Sequence, residues 1–211
     1  MRFPLDSFIR TSIRAAVLFL LALTAPAAWT AQNILVFGDS LSAGYGIAQE
    51  AAWPSLLAKR LEQNRLDYSV TNASISGETT SGGRTRLDAA LAKHHPAVVI
   101  IALGANDGLR GLPVKTMRDN LTAMAEAAQK MKARVLIVGQ RLPPNYGPYA
   151  TQFHNTFAEV AKERKTALVD FLLDGVATRP ELFQSDNLHP TAEAQPLLLD
   201  TVWRGLEPLL K

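Results

Sequence analysis

From residue 32 onward, short apolar runs rich in β-branched residues alternate with stretches of helical period, and this alternation restricts the chain more than any other feature. Ile34-Leu35-Val36-Phe37 is one such run and stops at Gly38. Tyr68-Ser69-Val70, Ala97 to Leu103, Val135-Leu136-Ile137-Val138 and Ala167-Leu168-Val169 are the others. Ala97 to Leu103 is apolar without a break, the pattern of a strand covered on both faces. Between the runs the spacing changes. In Ala51 to Asn64, apolar Trp53, Leu56, Leu57 and Leu61 recur at the helical period, with Pro54 placed for a first turn. Arg84 to His94, Val114 to Lys132, Tyr149 to Arg164 and Thr191 to Leu210 also read as helices. Strands separated by helices pair in parallel through right-handed crossovers. The expectation is an α/β fold, a three-layer α/β/α sandwich built as a single domain over residues 32–211, without internal repeat or linker.

Residues 1–31 have a different character. Arg2, Arg10 and Arg14 precede the apolar run Ala15 to Leu23, and Ala25-Pro26-Ala27 follows in the A-x-A pattern. They read as a secretory signal peptide cleaved between residues 27 and 31. The run is too short for the roughly 20 residues that cross a bilayer as a helix. No stable membrane anchor is therefore expected after cleavage, and the mature protein is expected to be periplasmic or secreted. The leader also accounts for the charge. Of 22 Lys and Arg against 19 Asp and Glu, three and one fall within it, so the remainder is nearly neutral and has no footprint for nucleic acid. The absence of cysteine excludes a disulfide scaffold, a thiolate metal site, a Cys nucleophile and a lipoprotein anchor.

Ligands of open parallel sheets bind beyond the carboxyl ends of the strands. The segments placed there are Gly38-Asp39-Ser40-Leu41-Ser42, Asn72 to Thr79, Gly104-Ala105-Asn106-Asp107-Gly108 and, before the last helix, Asp186-Asn187-Leu188-His189-Pro190. These parts suit acyl transfer. A serine hydroxyl needs a neighbouring base, usually histidine, and the histidine needs an acceptor on its other nitrogen. Asp186 lies close enough before His189 for one tight turn to carry both. The tetrahedral intermediate needs donors aimed at its oxygen, which the backbone N–H groups of Ser40 and Gly77 and the Asn106 carboxamide can supply. Ile75, Leu109, Leu112, Leu142 and Tyr146 fall on loops at the same edge and are candidates for an acyl-chain lining.

Four blocks in this order resemble the GDSL, or SGNH, hydrolases: Gly38-Asp39-Ser40-Leu41, Gly77 at the end of Asn72-x-Ser74-x-Ser76-Gly77, Gly104-x-Asn106-Asp107, and Asp186-x-x-His189. The leader, Asn72 to Thr79, Gly108-Leu109-Arg110-Gly111 and Leu142 to Gly147 are similar to the bacterial thioesterase I/protease I/lysophospholipase, or arylesterase, branch. The resemblance covers nearly all of residues 33–211. It implies a flavodoxin-like five-stranded parallel sheet, a triad of Ser40, His189 and Asp186, and an oxyanion hole of Ser40, Gly77 and Asn106. It further implies a secreted serine esterase acting on small acyl esters, thioesters or lysophospholipids, with no cofactor and no metal.

Other readings compete for the same residues. Ser42 and Asp39 read as structural, since Asp39 sits beside the nucleophile rather than beside the base, and Asp107 as a support for Asn106. His94 and His95 read as solvated surface, His154 as surface or packing, and no HExxH motif marks a metal site. A carbohydrate O-acetyl esterase of the same fold is one alternative function. A non-catalytic flavodoxin-like binding module is another, although Gly38-x5-Gly44-x-Gly46 is neither GxGxxG nor a P-loop. An α/β-hydrolase is disfavoured because Ser42 stands where G-x-S-x-G needs its last glycine.

Overall fold

In the computed structural model, which describes residues 31–210, every apolar run becomes a strand and all five join one parallel sheet in the order β2-β1-β3-β4-β5. The strands are β1 (Gln32–Gly38), β2 (Tyr68–Asn72), β3 (Val98–Ala102), β4 (Arg134–Val138) and β5 (Ala167–Val169). Register runs Ile34 beside Val70 and Val98, Val98 beside Arg134, and Leu136 beside Ala167. The signal-peptide reading falls on residues 1–31, of which 1–30 lie outside the described residues. Among the described residues, no helix is long and apolar enough to cross a membrane.

Seven α-helices lie among the described residues, six between the strands and one after β5: α1 (Ser40–Ala43), α2 (Trp53–Gln63), α3 (Thr80–His94), α4 (Ala105–Leu109), α5 (Val114–Lys130), α6 (Pro148–Arg164) and α7 (Gln195–Leu206). Side chains alternate across a strand, so each central strand feeds two cores. Ile34, Val36, Val98, Ile100, Leu136 and Val138 pack on α2 and α7 through Trp53, Leu57, Leu198 and Val202. Leu35, Phe37, Val99, Ile101, Val135 and Ile137 face α3, α5 and α6 through Leu87, Leu121, Phe153 and Phe157. This is the three-layer α/β/α sandwich expected from the alternation. Burying one such Leu or Phe stabilises by about 1.5–3 kcal/mol. Edge strand β2 is only partly buried, which explains why its apolar signal is weak.

Helix boundaries depart from the sequence reading where glycine hides a helix. Helix α3 starts at Thr80 instead of Arg84, with Thr79 capping it by accepting from Gly82 N at 3.3 Å. Gly82 and Gly83 read as a loop because glycine is a poor helix former. Tertiary packing requires one of them: a Cβ on Gly83 would collide with Leu103 Cδ1. The final helix is shorter than read, Gln195–Leu206, with 3-10 turns at Ala192–Ala194 and Glu207–Leu209. The chain leaves β1 toward β2 on one side and returns to β3 on the other, so the switch point lies at the carboxyl ends of β1 and β3.

Candidate active site

Ser40 lies two residues past the end of β1, after Asp39, and is the first residue of α1. The turn is tight enough to require glycine before it, since a Cβ on Gly38 would sit 2.7 Å from Ser42 Oγ and 3.0 Å from the Ala102 carbonyl oxygen. Asp39 is the N-cap, with Oδ1 accepting from Leu41 N at 3.1 Å. Its carboxyl is fully buried, and Oδ2 has no hydrogen-bond partner. Burial, reinforced by the negative charges of Asp107 and Glu78, pushes Asp39 up to about 7 against its two backbone N–H bonds.

His189 reaches Ser40 from the other end of the chain because its loop is closed on itself. Phe183 and Pro190 form an antiparallel bridge, and Gln184 N donates to the His189 carbonyl at 2.8 Å. Asn187 takes the left-handed conformation at φ 54°, which turns the chain between Asp186 and His189. Gln184 Nε2 donates to the Tyr45 carbonyl at 2.8 Å and so ties this loop to the segment after α1.

The outcome is a continuous line of hydrogen bonds. His189 Nε2 lies 2.9 Å from Ser40 Oγ, and His189 Nδ1 lies 2.6 Å from Asp186 Oδ2. Asp186 Oδ1 accepts from Leu188 N at 2.9 Å and His189 N at 3.0 Å. The His189 contact first, then these two N–H groups, holds the Asp186 carboxyl down at about 2. An ionised carboxylate only accepts, so Nδ1 carries the proton and Nε2 is left to accept from the serine hydroxyl. The Tyr45 ring lies against the imidazole, centroids 4.4 Å apart.

The loops after β2 and β3 close the other side. Gly77 has φ +79° and only the far end of Arg110 within 4 Å of a Cβ position, so the missing side chain leaves an open approach. Neither Gly77 N nor Ser40 N donates to another group among the described residues. Asn106 Nδ2 gives one hydrogen to the Glu78 carbonyl at 3.0 Å and keeps its second. Buried Asp107 accepts from Thr80 N at 2.8 Å and Thr80 Oγ1 at 2.5 Å, so it fastens the start of α3 to α4. Ser42 Oγ is buried away from His189, without a partner.

Ser40, Gly77, Asn106 and His189 line one cavity of about 260 Å³, together with Tyr45, Leu109 and Leu188. An adjoining groove of about 440 Å³ shares Leu41, Ala105, Leu109 and Leu188, and runs on past Leu142, Pro143, Phe171 and Phe183. Of the apolar residues proposed from the sequence, Leu109 lines both spaces and Leu142 lines the groove. Ile75, half-exposed, lines neither. Tyr146 Oη donates to the Leu109 carbonyl at 3.3 Å, and the Leu112 carbonyl accepts from Tyr149 Oη at 2.7 Å, so both buttress the wall from behind. Tyr45 and Leu188 are wall residues that the sequence reading misses. Neither has a local signal beyond its closeness in sequence to Ser40 and His189. His154 lines neither space: its Nδ1 lies 3.3 Å from the Gln140 carbonyl oxygen and its Nε2 3.3 Å from Asp170 Oδ1. Among the described residues, no group of three or more His, Asp or Glu can hold a metal ion.

A family model described as the GDSL-like lipase/acylhydrolase family matches residues 36–196, a span that takes in Ser40, Gly77, Asn106, Asp186 and His189. The chain belongs to this family. This GDSL hydrolase is 47% identical over 203 residues to esterase TesA of Pseudomonas aeruginosa, covering 96% of this chain and all of that protein. It is 40% identical over 194 residues to thioesterase 1/protease 1/lysophospholipase L1 of Escherichia coli strain K12, covering 92% of this chain and 91% of the relative. The crystal structure of psychrotrophic esterase EstA from Pseudoalteromonas sp., inhibited by monoethylphosphonate, superposes with a TM-score of 0.81 at 42% identity, over 85% of this chain and 98% of that one.

Proposed function

We propose that this GDSL hydrolase is an exported serine esterase that cleaves single-chain acyl esters and thioesters through an acyl-enzyme. The observation that carries the reading is the unbroken hydrogen-bonded line from Ser40 Oγ through His189 to Asp186 at the wall of a cavity that opens into an apolar groove. Ser40 Oγ adds to the substrate carbonyl carbon while its proton passes to His189 Nε2. Asp186 holds the ring in the required tautomer and stabilises the imidazolium. The carbonyl oxygen, now negative, is met by the N–H groups of Ser40 and Gly77 and the free hydrogen of Asn106 Nδ2. Collapse breaks the bond to the leaving oxygen or sulfur, which takes the proton from His189. Water then repeats the sequence, releasing the acid and restoring Ser40.

The groove beyond Leu109 and Leu188 suits one acyl chain, since one open channel houses one chain. Each methylene buried there contributes about 0.8 kcal/mol until the groove ends. Thioesters pass through the same oxyanion with a better leaving group, and the name of the Escherichia coli relative agrees with that breadth. Export rests on the arginines, apolar run and small residues of positions 1–31. The test is hydrolysis of p-nitrophenyl esters, acyl thioesters and lysophospholipids by the mature protein and by Ser40→Ala, with labelling by an alkylphosphonate. The expected result is phosphonylation at Ser40, turnover of all three classes and near-complete loss in the variant. Full activity in Ser40→Ala would overturn the mechanism. Turnover confined to acetyl esters would favour a carbohydrate deacetylase.

A further inference from the structure

Two side chains one turn apart on α4 hold two successive carbonyls of the loop that carries Gly77. Asn106 donates to the Glu78 carbonyl at 3.0 Å, and Arg110, at the end of the helix, donates through Nη2 to the Gly77 carbonyl at 3.1 Å. The loop is tied to β1 on its other side: Gly38 N donates to Ser74 Oγ at 3.1 Å and Ile75 N to the Gly38 carbonyl at 3.0 Å. Between these anchors stands a glycine in the left-handed region, the residue with the most backbone freedom and the one offering its N–H to the cavity. A donor helps a developing oxyanion only if it is already aimed, because reorientation at the moment of reaction cancels the gain. Resting on the esterase reading above, we infer that Arg110 is a positioning residue for the oxyanion hole. It holds the Gly77–Glu78 peptide while Ser74 and Ile75 are held to β1 on the other side. Rotation about Gly77 is thereby restricted, which keeps the Gly77 N–H, lying in the preceding peptide, aimed at the developing charge.

Three features favour this over a purely structural tie. Arg110 is exposed and no acidic side chain of the described residues pairs with it, so the core does not depend on it. Its acceptor belongs to the donor residue itself. A cationic guanidinium also orients a carbonyl more strongly than a neutral donor does. The rival use of an exposed arginine here is contact with an anionic leaving group such as the phosphodiester of a lysophospholipid, and the experiment separates the two.

Arg110→Met, Arg110→Lys and Arg110→Gln are assayed on a neutral p-nitrophenyl ester and on a lysophospholipid of the same acyl length. Inhibition by an alkylboronic acid is measured alongside. In that adduct a bond forms between Ser40 Oγ and boron, the serine proton passes to His189, nothing leaves, and the charged boronate samples the hole. The expected result is a fall in kcat of roughly 10–100-fold for Arg110→Met on both substrates. KM and melting temperature should stay nearly constant, boronate affinity should weaken by a similar factor, and Lys or Gln should restore part of each. Unchanged kcat and boronate affinity would overturn the inference. So would a rise in KM confined to the lysophospholipid, which would make Arg110 a substrate contact. Should Arg110→Met fold poorly, the Lys and Gln variants carry the same readouts. Failure of the esterase reading would show separately, as an active Ser40→Ala variant.

Discussion

Two aspartates stand near the Ser40–His189 contact in opposite surroundings. Asp39 adjoins the serine in sequence, is fully buried, leaves one oxygen without a partner and is pushed up to about 7. Asp186 comes from the far end of the chain, has a side chain 39% exposed, is satisfied by His189 and two backbone N–H groups, and is held down at about 2. Nearness to Ser40 in the chain therefore says little about which acid meets His189. What decides is the supply of donors: three for Asp186, against a dry site for Asp39 that favours the neutral form. One turn uses its carboxyl to cap backbone; in the proposed mechanism the other orients a base.

Neutralising each acid in turn separates the two carboxyls most strongly. Asp186→Asn should lower kcat on the order of 10⁴-fold, because an amide cannot fix the tautomer as an ionised acceptor does. Asp39→Asn keeps an oxygen for Leu41 N and should change kcat less than about tenfold, a margin far below the loss of a triad member. Steady-state kinetics on one neutral ester decides it, and a reversal of the two effects would exchange their roles. Between these two stands Asn106→Ala. It should cost roughly 10²–10³-fold in kcat, the usual loss for one side-chain oxyanion donor, while the unfolding midpoint stays close to that of the parent.

The loop of the exposed acid does a second job that the buried acid's turn does not. Asn187 and Leu188, between Asp186 and His189, line the apolar groove, whereas the serine turn contributes only Leu41. Acyl length should therefore be read largely by the histidine loop and the wall opposite it. For the parent enzyme, kcat/KM should rise by up to about fourfold per methylene, the factor equivalent to 0.8 kcal/mol, and then level off. Leu188→Ala and Leu142→Ala should flatten that slope and leave the value for acetyl esters nearly unchanged. An equal loss at every length would place the chain elsewhere.

The same contrast marks what was legible in the sequence. Buried strands announce themselves as unbroken apolar runs, so Val98–Ala102 and the layer order followed directly. Helices α1 and α4, only four and five residues long, have no period to detect, yet they place Ser40 and Asn106. The four blocks were readable because each sets a residue type with a chemical task just after a strand or, for Asp186-x-x-His189, just before the last helix. The cavity wall was not. Topology put Ile75, Leu109, Leu112, Leu142 and Tyr146 at one edge, but the direction of a loop side chain depends on contacts far away in sequence, such as the Gln184 tie to Tyr45. Gly83 shows the reverse failure, a local helix breaker kept because Leu103 leaves no room for a Cβ.

The smallest effect on turnover belongs to Asp39, and it should appear instead in stability. Its ordinary carboxyl value is 3.8, and in the fold it is about 7, raised by burial first and by Asp107 and Glu78 in support. Below pH 3.8 both folded and unfolded chains hold the proton, and the group imposes no penalty. As pH rises toward 7 the unfolded chain releases its proton while the folded one keeps it, so stability falls with rising pH across that window and levels off above it. Asp186 is displaced the other way. Its contribution is complete above 3.8 and is lost only as pH falls through about 2, so it leaves this window flat. Urea unfolding from about pH 4 to about pH 8 should thus show a decline in the parent that Asp39→Asn lacks, with the variant gaining most at the alkaline end. The difference is bounded by a few kcal/mol, since each pH unit between the folded and unfolded values corresponds to about 1.4 kcal/mol. Parallel curves for the two proteins would mean that Asp39 titrates as an ordinary carboxylate, and the contrast between the two acids would rest on geometry alone.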